Sequence, residues 1–282
     1  MLIDPIAHHA ATRPDALAAI DLASGRRWTW AALDADVARV AAWLGNRVGT
    51  GSTGAGGAGA TGARVATLCR NSVDMLVLQH ACGRAGAIFV PLNWRLAPAE
   101  IAVLIADAAP ALLFCDAEFA GPYAGPEQRP TADIATLCAP APPPELPARD
   151  ADAPYTILYT SGTSGTPKGV VISAANAYWG ASNFIGGNDV GDGSVFLCDM
   201  PFFHTAGLFA AAGVAIVAGG VVCISPGFDP VRTLARIADP QLGITHYFSV
   251  PQMAQMLWNQ PDFQPEMLAR LRVYATGGAP NP

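Results

Sequence analysis

Short apolar segments alternate with amphipathic ones between residues 64 and 115, and this alternation is the strongest constraint on the fold. Strands are predicted at 64–69, 86–91 and 111–115, and helices at 74–85 and 100–108. A strand–helix–strand order is typical of a parallel sheet with helices on its faces. We therefore expect an α/β fold. Further strands are predicted at 155–159, 170–172, 195–198, 246–250 and 272–275.

The flanking segments complete this pattern. Residues 3–11 have helical spacing, Trp28, Thr29 and Trp30 indicate a short strand, and residues 31–44 have the apolar spacing of an amphipathic helix. Residues 49–62 are almost entirely Gly, Ser, Thr and Ala, and they lack the lysine of a phosphate loop. This stretch and the Pro-rich stretch at 139–154 are predicted to be linkers.

Composition narrows the class of protein. The chain has 282 residues, 51% of them apolar, and a formal net charge of −6, so no basic surface for nucleic acid is expected. The six cysteines are scattered without a C-x-x-C pair, which favours free buried thiols in a reducing cytoplasm over a zinc site. The N-terminus lacks the apolar core of a signal peptide.

One uncharged run, residues 205–228, is long enough to suggest a membrane span. Gly213, Gly219 and Gly220 interrupt it, and the β-branched segment that follows is short. A buried helix, a turn and a buried strand explain the run better, so no transmembrane segment is expected.

The stretch with the clearest chemical meaning is YTSGTSGTPKGV at residues 159–170, which follows an apolar strand. Its hydroxyls and glycine-rich backbone can surround phosphate oxygens, and Lys168 adds a positive charge. It is not a Walker A loop, because Pro167 and Gly169 flank the lysine. A Rossmann dehydrogenase is disfavoured as well, because no G-x-G-x-x-G follows the first strand and opens a helix.

This stretch resembles the phosphate-binding signature of the adenylate-forming family, which includes acyl-CoA synthetases. Three other segments agree in the family's order: PLNWRL at 91–96, PFFHTAGL at 201–208 and GGAP at 277–280. The resemblance implies the family's large N-terminal domain, with sheets flanked by helices in a layered αβαβα arrangement. Residues 1–62 and 192–282 are expected to form one subdomain, and residues 63–191 a second that carries the phosphate loop.

The resemblance implies a two-step reaction. A carboxylic acid, fatty or aromatic, attacks the α-phosphate of ATP, and the acyl group of the resulting adenylate then passes to CoA. Magnesium is expected as a cofactor, because developing phosphate charge needs cations and oriented donors.

The resemblance also implies the site residues. Lys168 and His204 are the expected catalytic residues, although a lone histidine among Phe202, Phe203 and Leu208 also fits a core position. No residue of the chain is assigned to a metal. The residues expected to bind nucleotide are Thr160, Ser161, Gly162, Thr163, Ser164, Gly165, Thr166 and Lys168 at the phosphates, and Gly277, Gly278, Ala279 and Pro280 at the adenine.

The sequence stops before other segments of the family pattern. The family's magnesium-binding Glu, its ribose-binding Asp and its small C-terminal domain would all lie beyond residue 282. One interpretation is a fragment of a complete acid–CoA ligase, with little activity alone. The alternative is a naturally truncated, non-catalytic nucleotide-binding remnant or an interaction protein, whose exposed sheet edge or interface would favour association with another chain. A homodimer is compatible with either interpretation.

Overall fold

The computed structural model describes residues 4–48, 62–138, 150–160 and 167–280. Within these residues the α-helices are α1 (Pro5–Thr12), α2 (Trp30–Val48), α3 (Val73–Ala85), α4 (Pro98–Ala108), α5 (Ala174–Gly187), α6 (Val214–Ala218), α7 (Pro230–Ala238) and α8 (Pro251–Trp258). The strands are β1 (Leu17–Asp21), β2 (Arg27–Thr29), β3 (Arg64–Leu68), β4 (Ile88–Pro91), β5 (Leu112–Cys115), β6 (Glu127–Pro130), β7 (Pro154–Thr160), β8 (Lys168–Ser173), β9 (Val195–Cys198), β10 (Val221–Ile224), β11 (His246–Ser249) and β12 (Val273–Thr276).

The chain folds into two compact units. The first comprises Met1–Asp4, Leu33–Arg70 and Asp74–Ala177, and the second comprises Pro5–Ala32, Asn71–Val73 and Tyr178–Pro282. This division differs from the predicted subdomain boundaries in two main places. The part of α2 from Leu33 onward belongs to the unit that contains β3 to β8, and residues 178–191, which were predicted to lie in that unit, belong to the other. The apolar stripe of α2, which includes Leu33, Val37 and Leu44, is fully buried in this arrangement.

The first unit is built on a six-stranded sheet in the order β6-β5-β3-β4-β7-β8. Its neighbouring strands run parallel except for β7 and β8, which form an antiparallel pair. Ile101, Leu104 and Ile105 of α4 pack against Ile88 and Val90 of β4 in one buried cluster. The parallel arrangement predicted for residues 64–115 is confirmed, and it brings the phosphate-loop hairpin to one edge of this sheet.

The second unit has its own six-stranded sheet, in the order β12-β11-β9-β10-β1-β2. All neighbours are parallel except β1 and β2. Leu234 and Ile237 of α7 and Leu257 of α8 bury Tyr247 of β11 on one face of this sheet. Because β9, β11 and β12 are parallel, the segments that follow them emerge at the same edge.

The uncharged run at 205–228 forms the predicted helix, turn and strand. A π-helical segment, Ala206–Gly213, continues into α6, and Gly219 then reverses the chain at φ 74° before β10. Within the described residues no helix is both long enough and apolar enough to cross a membrane.

The cysteines are free, and five of the six, all except Cys138, are buried. Burial raises the pKa of Cys69, Cys198 and Cys223 far above the ordinary thiol value. A raised pKa keeps these thiols neutral and unreactive. They act as small core residues, as predicted.

Candidate functional site

The phosphate-loop hairpin is the first part of the candidate site. Strands β7 and β8 pair without interruption at this end, with Tyr159 opposite Gly169 and Thr160 opposite Lys168. Both Thr160 and Lys168 are exposed. The residues between them that were expected to contact phosphate (Ser161, Gly162, Thr163, Ser164, Gly165 and Thr166) lie outside the described residues.

The base of this hairpin is fixed by Tyr159. Its hydroxyl donates a 2.5 Å hydrogen bond to Oδ2 of Asp107 at the end of α4. Burial, followed by the neighbouring Asp107 carboxylate, raises the pKa of Tyr159, so the phenol stays protonated and remains a donor. A Cβ on Gly169 would come within 2.9 Å of Ile157 and 3.4 Å of the Tyr159 ring. Glycine at 169 therefore leaves room for the Ile157 side chain and the Tyr159 ring next to β8.

The second part of the site is the segment that follows β9. Asn71 holds it at two points, because its side-chain amide donates to the Met200 carbonyl at 2.8 Å and accepts from the Phe202 amide at 2.9 Å. Gly207 packs against the same turn so closely that a Cβ would lie 2.4 Å from the carbonyl oxygens of both Met200 and Pro201. Residues 200–207 thus form a rigid turn, and the sequence reasoning did not identify Asn71 as its anchor.

His204 lies on the outer side of this turn. Phe202 and Phe203 are buried, whereas His204 is exposed, so the core alternative for this histidine is wrong. Its backbone amide donates to Pro201 and its carbonyl accepts from Leu208, both at 3.1 Å. The Phe203 ring lies 4.7 Å from the imidazole, centroid to centroid. The turn therefore presents the imidazole to solvent.

The third part is the turn that follows β12. Gly277 donates its amide to the Ser249 carbonyl at 3.2 Å, and a Cβ there would lie 3.2 Å from the Phe248 ring. Gly278 has φ 86°, a conformation that other residues adopt only with strain. Ala279 and Pro280 continue this turn and are exposed.

A cavity of about 310 Å³ joins the second and third parts within the second unit. Thr205 and Ala206 border it directly after His204, and Gly277 and Gly278 border it from the other side. The described residues that line it carry no charge, and most are apolar or small: Gly180, Phe184, Thr205, Ala206, Phe209, Ala210, Phe248, Val250, Gly277 and Gly278.

The cavity lies at the carboxyl ends of β9, β11 and β12, the edge where open α/β sheets bind ligands. The π-helical segment supplies Phe209 and Ala210, and such segments are frequent at functional sites. The three phenylalanines come from separate segments, and the sequence reasoning identified none of them as cavity residues.

The part of the chain that the structure describes contains no cluster of protein groups that could form a metal centre by itself. Among residues 4–48, 62–138, 150–160 and 167–280, no three His, Cys, Asp or Glu side chains are grouped closely enough to hold an ion. Magnesium that accompanies a nucleotide does not need such a group, because it usually keeps several waters and binds phosphate oxygens with one or two carboxylates.

An apolar cavity at the carboxyl edge of a parallel sheet is where open α/β folds bind small organic ligands. The chain belongs to the AMP-binding enzyme family, whose model matches residues 6–282. It is 34% identical to an indoleacetate–CoA ligase of Aromatoleum aromaticum, over 76% of this chain and 44% of that protein. It is 33% identical to a feruloyl-CoA synthase of Amycolatopsis sp, over 78% of this chain and 45% of that protein.

Solved structures agree with this assignment. The fold matches ATP-bound MatB from Rhodopseudomonas palustris with a TM-score of 0.81 and 28% identity, over 99% of this chain and 56% of that one. It matches the N-terminal domain of FACL13 from Mycobacterium tuberculosis with a TM-score of 0.83 and 26% identity, over 99% and 70% respectively. The chain spans about 45% of the length of the curated acid–CoA ligases it matches.

Proposed function

We propose that this chain is the nucleotide- and acid-binding part of an ATP-dependent acid–CoA ligase, which joins a carboxylic acid to AMP and then transfers the acyl group to CoA. One observation carries the proposal. Two segments that resemble the family's motifs, residues 201–208 and residues 277–280, border the same cavity through Thr205 and Ala206 and through Gly277 and Gly278.

The cavity is the proposed site of the acid's tail. Phe184, Phe209 and Phe248 offer an apolar, partly aromatic surface, and none of the described lining residues is charged. An uncharged tail suits such a surface, because an unpaired charge is costly to bury. The names of the relatives agree with this chemistry, since they specify indoleacetate, ferulate and long-chain fatty acids.

The hairpin and the glycine turn are the proposed nucleotide contacts. Lys168 attracts phosphate oxygens electrostatically, and the hydroxyls and amides of residues 160–166 donate to them. Gly277, Gly278, Ala279 and Pro280 are small enough to let the adenine approach the backbone. His204 is proposed to donate to the acid's carboxylate at the mouth of the cavity. Magnesium would accompany the triphosphate and offset its charge.

The sequence itself offers a direct test of nucleotide binding. Lys168 is the only lysine in the chain. An amine-reactive acetylating reagent therefore labels Lys168 and the N-terminal amine, and the N-terminus serves as an internal reference. We expect MgATP to protect the peptide containing Lys168 without protecting the N-terminus. Equal labelling of Lys168 with and without millimolar MgATP would contradict the proposal.

A second test separates a ligase from a non-catalytic nucleotide binder. ATP, Mg²⁺ and an aromatic acid are supplied with hydroxylamine, which traps acyl-adenylate as a hydroxamate. A ligase forms acid-dependent hydroxamate and releases pyrophosphate. Protection of Lys168 without hydroxamate from any acid would instead support the alternative of a nucleotide-binding protein.

A further inference from the structure

Asp199 is a carboxylic acid inside the second unit, directly after β9. It is 1% exposed. Its Oδ2 accepts a 2.7 Å hydrogen bond from the Thr233 hydroxyl of α7, and both oxygens lie 3.2 Å from the Tyr247 hydroxyl of β11. The side chain therefore joins the end of one strand to a helix and to a second strand. None of the motifs described above includes it.

These contacts lead to the elements that border the cavity. Tyr247 faces the helix-packed side of the sheet, and because side chains alternate along a strand, its neighbour Phe248 faces the cavity. Tyr274 of β12 is the strand partner of Tyr247, and their rings lie 5.3 Å apart. The Tyr274 hydroxyl is 3.2 Å from Oγ of Ser249, whose carbonyl accepts the Gly277 amide.

The ionised side chain of Asp199 does not stabilise the fold as a whole. Burial raises its pKa to about 6, against the opposing effects of Thr233, Tyr247 and the charge of Arg236. A raised carboxyl pKa means that ionisation is harder in the folded chain than in the unfolded one. Arg236 is engaged elsewhere, because it donates to Oγ of Ser225 at 2.6 Å. Ionisation of Asp199 therefore lowers the free energy of global unfolding, so the hydrogen bonds of the carboxylate have to be explained by their local effect.

The other titratable groups near Asp199 stay in one charge state around neutral pH. Burial raises the pKa of the Cys198 thiol and of the Tyr247 and Tyr274 phenols. Burial lowers the pKa of Arg236 from its high ordinary value, and Asp199 and Asp229 oppose that effect whereas Arg232 adds to it. Among these groups the Asp199 carboxyl is the one whose charge changes near pH 6.

We propose that Asp199 is a positioning residue for the acid-binding cavity: its carboxylate holds the ends of β9 and β11 together and, through Tyr247 and Tyr274, sets the place of the Gly277 turn. In the ionised form the carboxylate accepts from both hydroxyls at once. In the amide of Asn, or in a protonated carboxyl, one of the two acceptor oxygens is replaced by a donor group, so the side chain no longer accepts from both hydroxyls equally well. Loss of the charge should therefore weaken these hydrogen bonds and loosen the segments that border the cavity locally, while the group at position 199 stays buried.

Hydrogen exchange followed by mass spectrometry tests this proposal without any ligand. In Asp199→Asn at pH 7.5, we expect peptides that cover residues 199–210 and 274–280 to exchange about fivefold faster, the scale of one net hydrogen bond. Peptides covering β1 in the same unit should be unchanged. Tyr247→Phe, which keeps the ring, should give a smaller effect in the same peptides. Asp192→Asn, an exposed partner of Arg13, is the matched control.

The pH dependence distinguishes positioning from packing. At pH 5 the wild-type carboxyl is protonated, so its exchange pattern should approach that of Asp199→Asn measured at the same pH. The proposal would be overturned if wild type and Asp199→Asn differed in exchange rate by the same factor at pH 5 and at pH 7.5. It would also be overturned if the variant exchanged faster throughout the second unit. Unchanged exchange in the peptides that border the cavity would overturn it as well.

Enzyme kinetics provide a further test. This test, unlike the exchange experiments, rests on the proposed function. With indole-3-acetate as the probe acid, Asp199→Asn should raise KM for the acid about fivefold. KM for ATP should rise as well, because the Gly277 turn is also a proposed adenine contact. The positioning role would be refuted if Asp199→Asn had the same KM for the acid as the wild type although its cavity segments exchanged clearly faster. Absence of adenylate formation in the wild type would instead refute the ligase proposal, and the exchange result would stand separately.

Discussion

Thr160 and Lys168 are strand partners at the loop end of the β7–β8 hairpin, so the residues between them connect the two paired strands. The pairing continues through Tyr159 and Gly169, and Asp107 anchors Tyr159. Lys168 thus has a fixed backbone position and an exposed side chain, an arrangement suited to a residue that meets a ligand from solvent.

Replacement of this lysine should therefore affect chemistry and leave the fold intact. Lys168→Ala should slow adenylate formation about 10- to 100-fold, the scale of a lost hydrogen bond to a charged group. Pyrophosphate exchange measures the rate, and thermal unfolding should show an unchanged midpoint because the side chain is exposed. Lys168→Arg keeps the charge and should retain more activity than Lys168→Ala. Full exchange activity in Lys168→Ala would remove Lys168 from the catalytic residues.

The turn that presents His204 depends on the absence of a side chain at Gly207. In Gly207→Ala the new Cβ would meet two backbone carbonyl oxygens at 2.4 Å, and rigid backbone cannot move aside cheaply. We expect the free energy of unfolding to fall by about 2–4 kcal/mol, measured by urea denaturation.

A matched glycine controls for the substitution itself. Gly186 lies in α5, is exposed and has nothing within 4 Å of its Cβ position. Gly186→Ala should raise the free energy of unfolding by up to about 1 kcal/mol, because alanine has the higher helix propensity. Similar effects of the two substitutions would show that the turn at Gly207 is not tightly packed.

Elements with clear apolar periodicity were predictable from the sequence, and several others were not. Strands β3, β5, β9 and β11 lie within two residues of their predicted bounds. Strand β6 was missed because its residues are polar and mostly exposed at a sheet edge. Strand β1 was missed because alanines at its centre give a weak pattern. Trp30 was assigned to a strand, yet it begins α2, since an aromatic residue suits either element.

The candidate site, like the fold, could be predicted from the sequence only in part. Its motifs are contiguous in sequence, so their residue types could be recognised. The cavity could not be predicted, because Phe184, Phe209 and Phe248 meet only after three separate elements have packed. Asn71 and Asp199 also act through contacts distant in sequence, with Asn71 bonded to residues about 130 positions away. Such roles depend on tertiary structure, which local periodicity does not encode.

The uncharged cavity predicts which acids the site accepts. Phenylacetate and 4-carboxyphenylacetate form a matched pair that differs by one carboxylate. The second carboxylate would be buried without a cation among the described lining residues, which costs about 3 kcal/mol or more. We therefore expect kcat/KM for adenylation to be at least about 100-fold higher with phenylacetate, at a cost of that size.

A cation placed in the cavity should reduce the preference for phenylacetate over 4-carboxyphenylacetate. Ala210 lines the cavity, and Ala210→Lys would bring an ammonium group to the second carboxylate. Ala210→Met, of comparable length and uncharged, controls for the lost volume. The ratio of kcat/KM values should fall in Ala210→Lys relative to Ala210→Met. Equal use of the two acids by the wild type would show that their tails do not enter this cavity.

The buried acid at Asp199 makes stability depend on pH in a defined direction. Its folded pKa of about 6 lies above the ordinary value of 3.8, so between these values the folded chain holds a proton that the unfolded chain has released. Unfolding thus releases a proton in this range, and the contribution of Asp199 to stability falls as pH rises from about 4 to about 6. The size of the loss is about 3 kcal/mol, because one pKa unit corresponds to about 1.4 kcal/mol.

Asp199→Asn has no proton to lose at this position. The free energy of unfolding, measured by urea denaturation at half-unit steps from pH 4.5 to 7.5, should therefore fall more steeply in the wild type than in the variant. Since every other group titrates alike in both proteins, the difference between the two curves isolates Asp199. Parallel curves would mean that the Asp199 carboxyl titrates outside this range, and its hydrogen bonds would then have to be strong enough to offset burial.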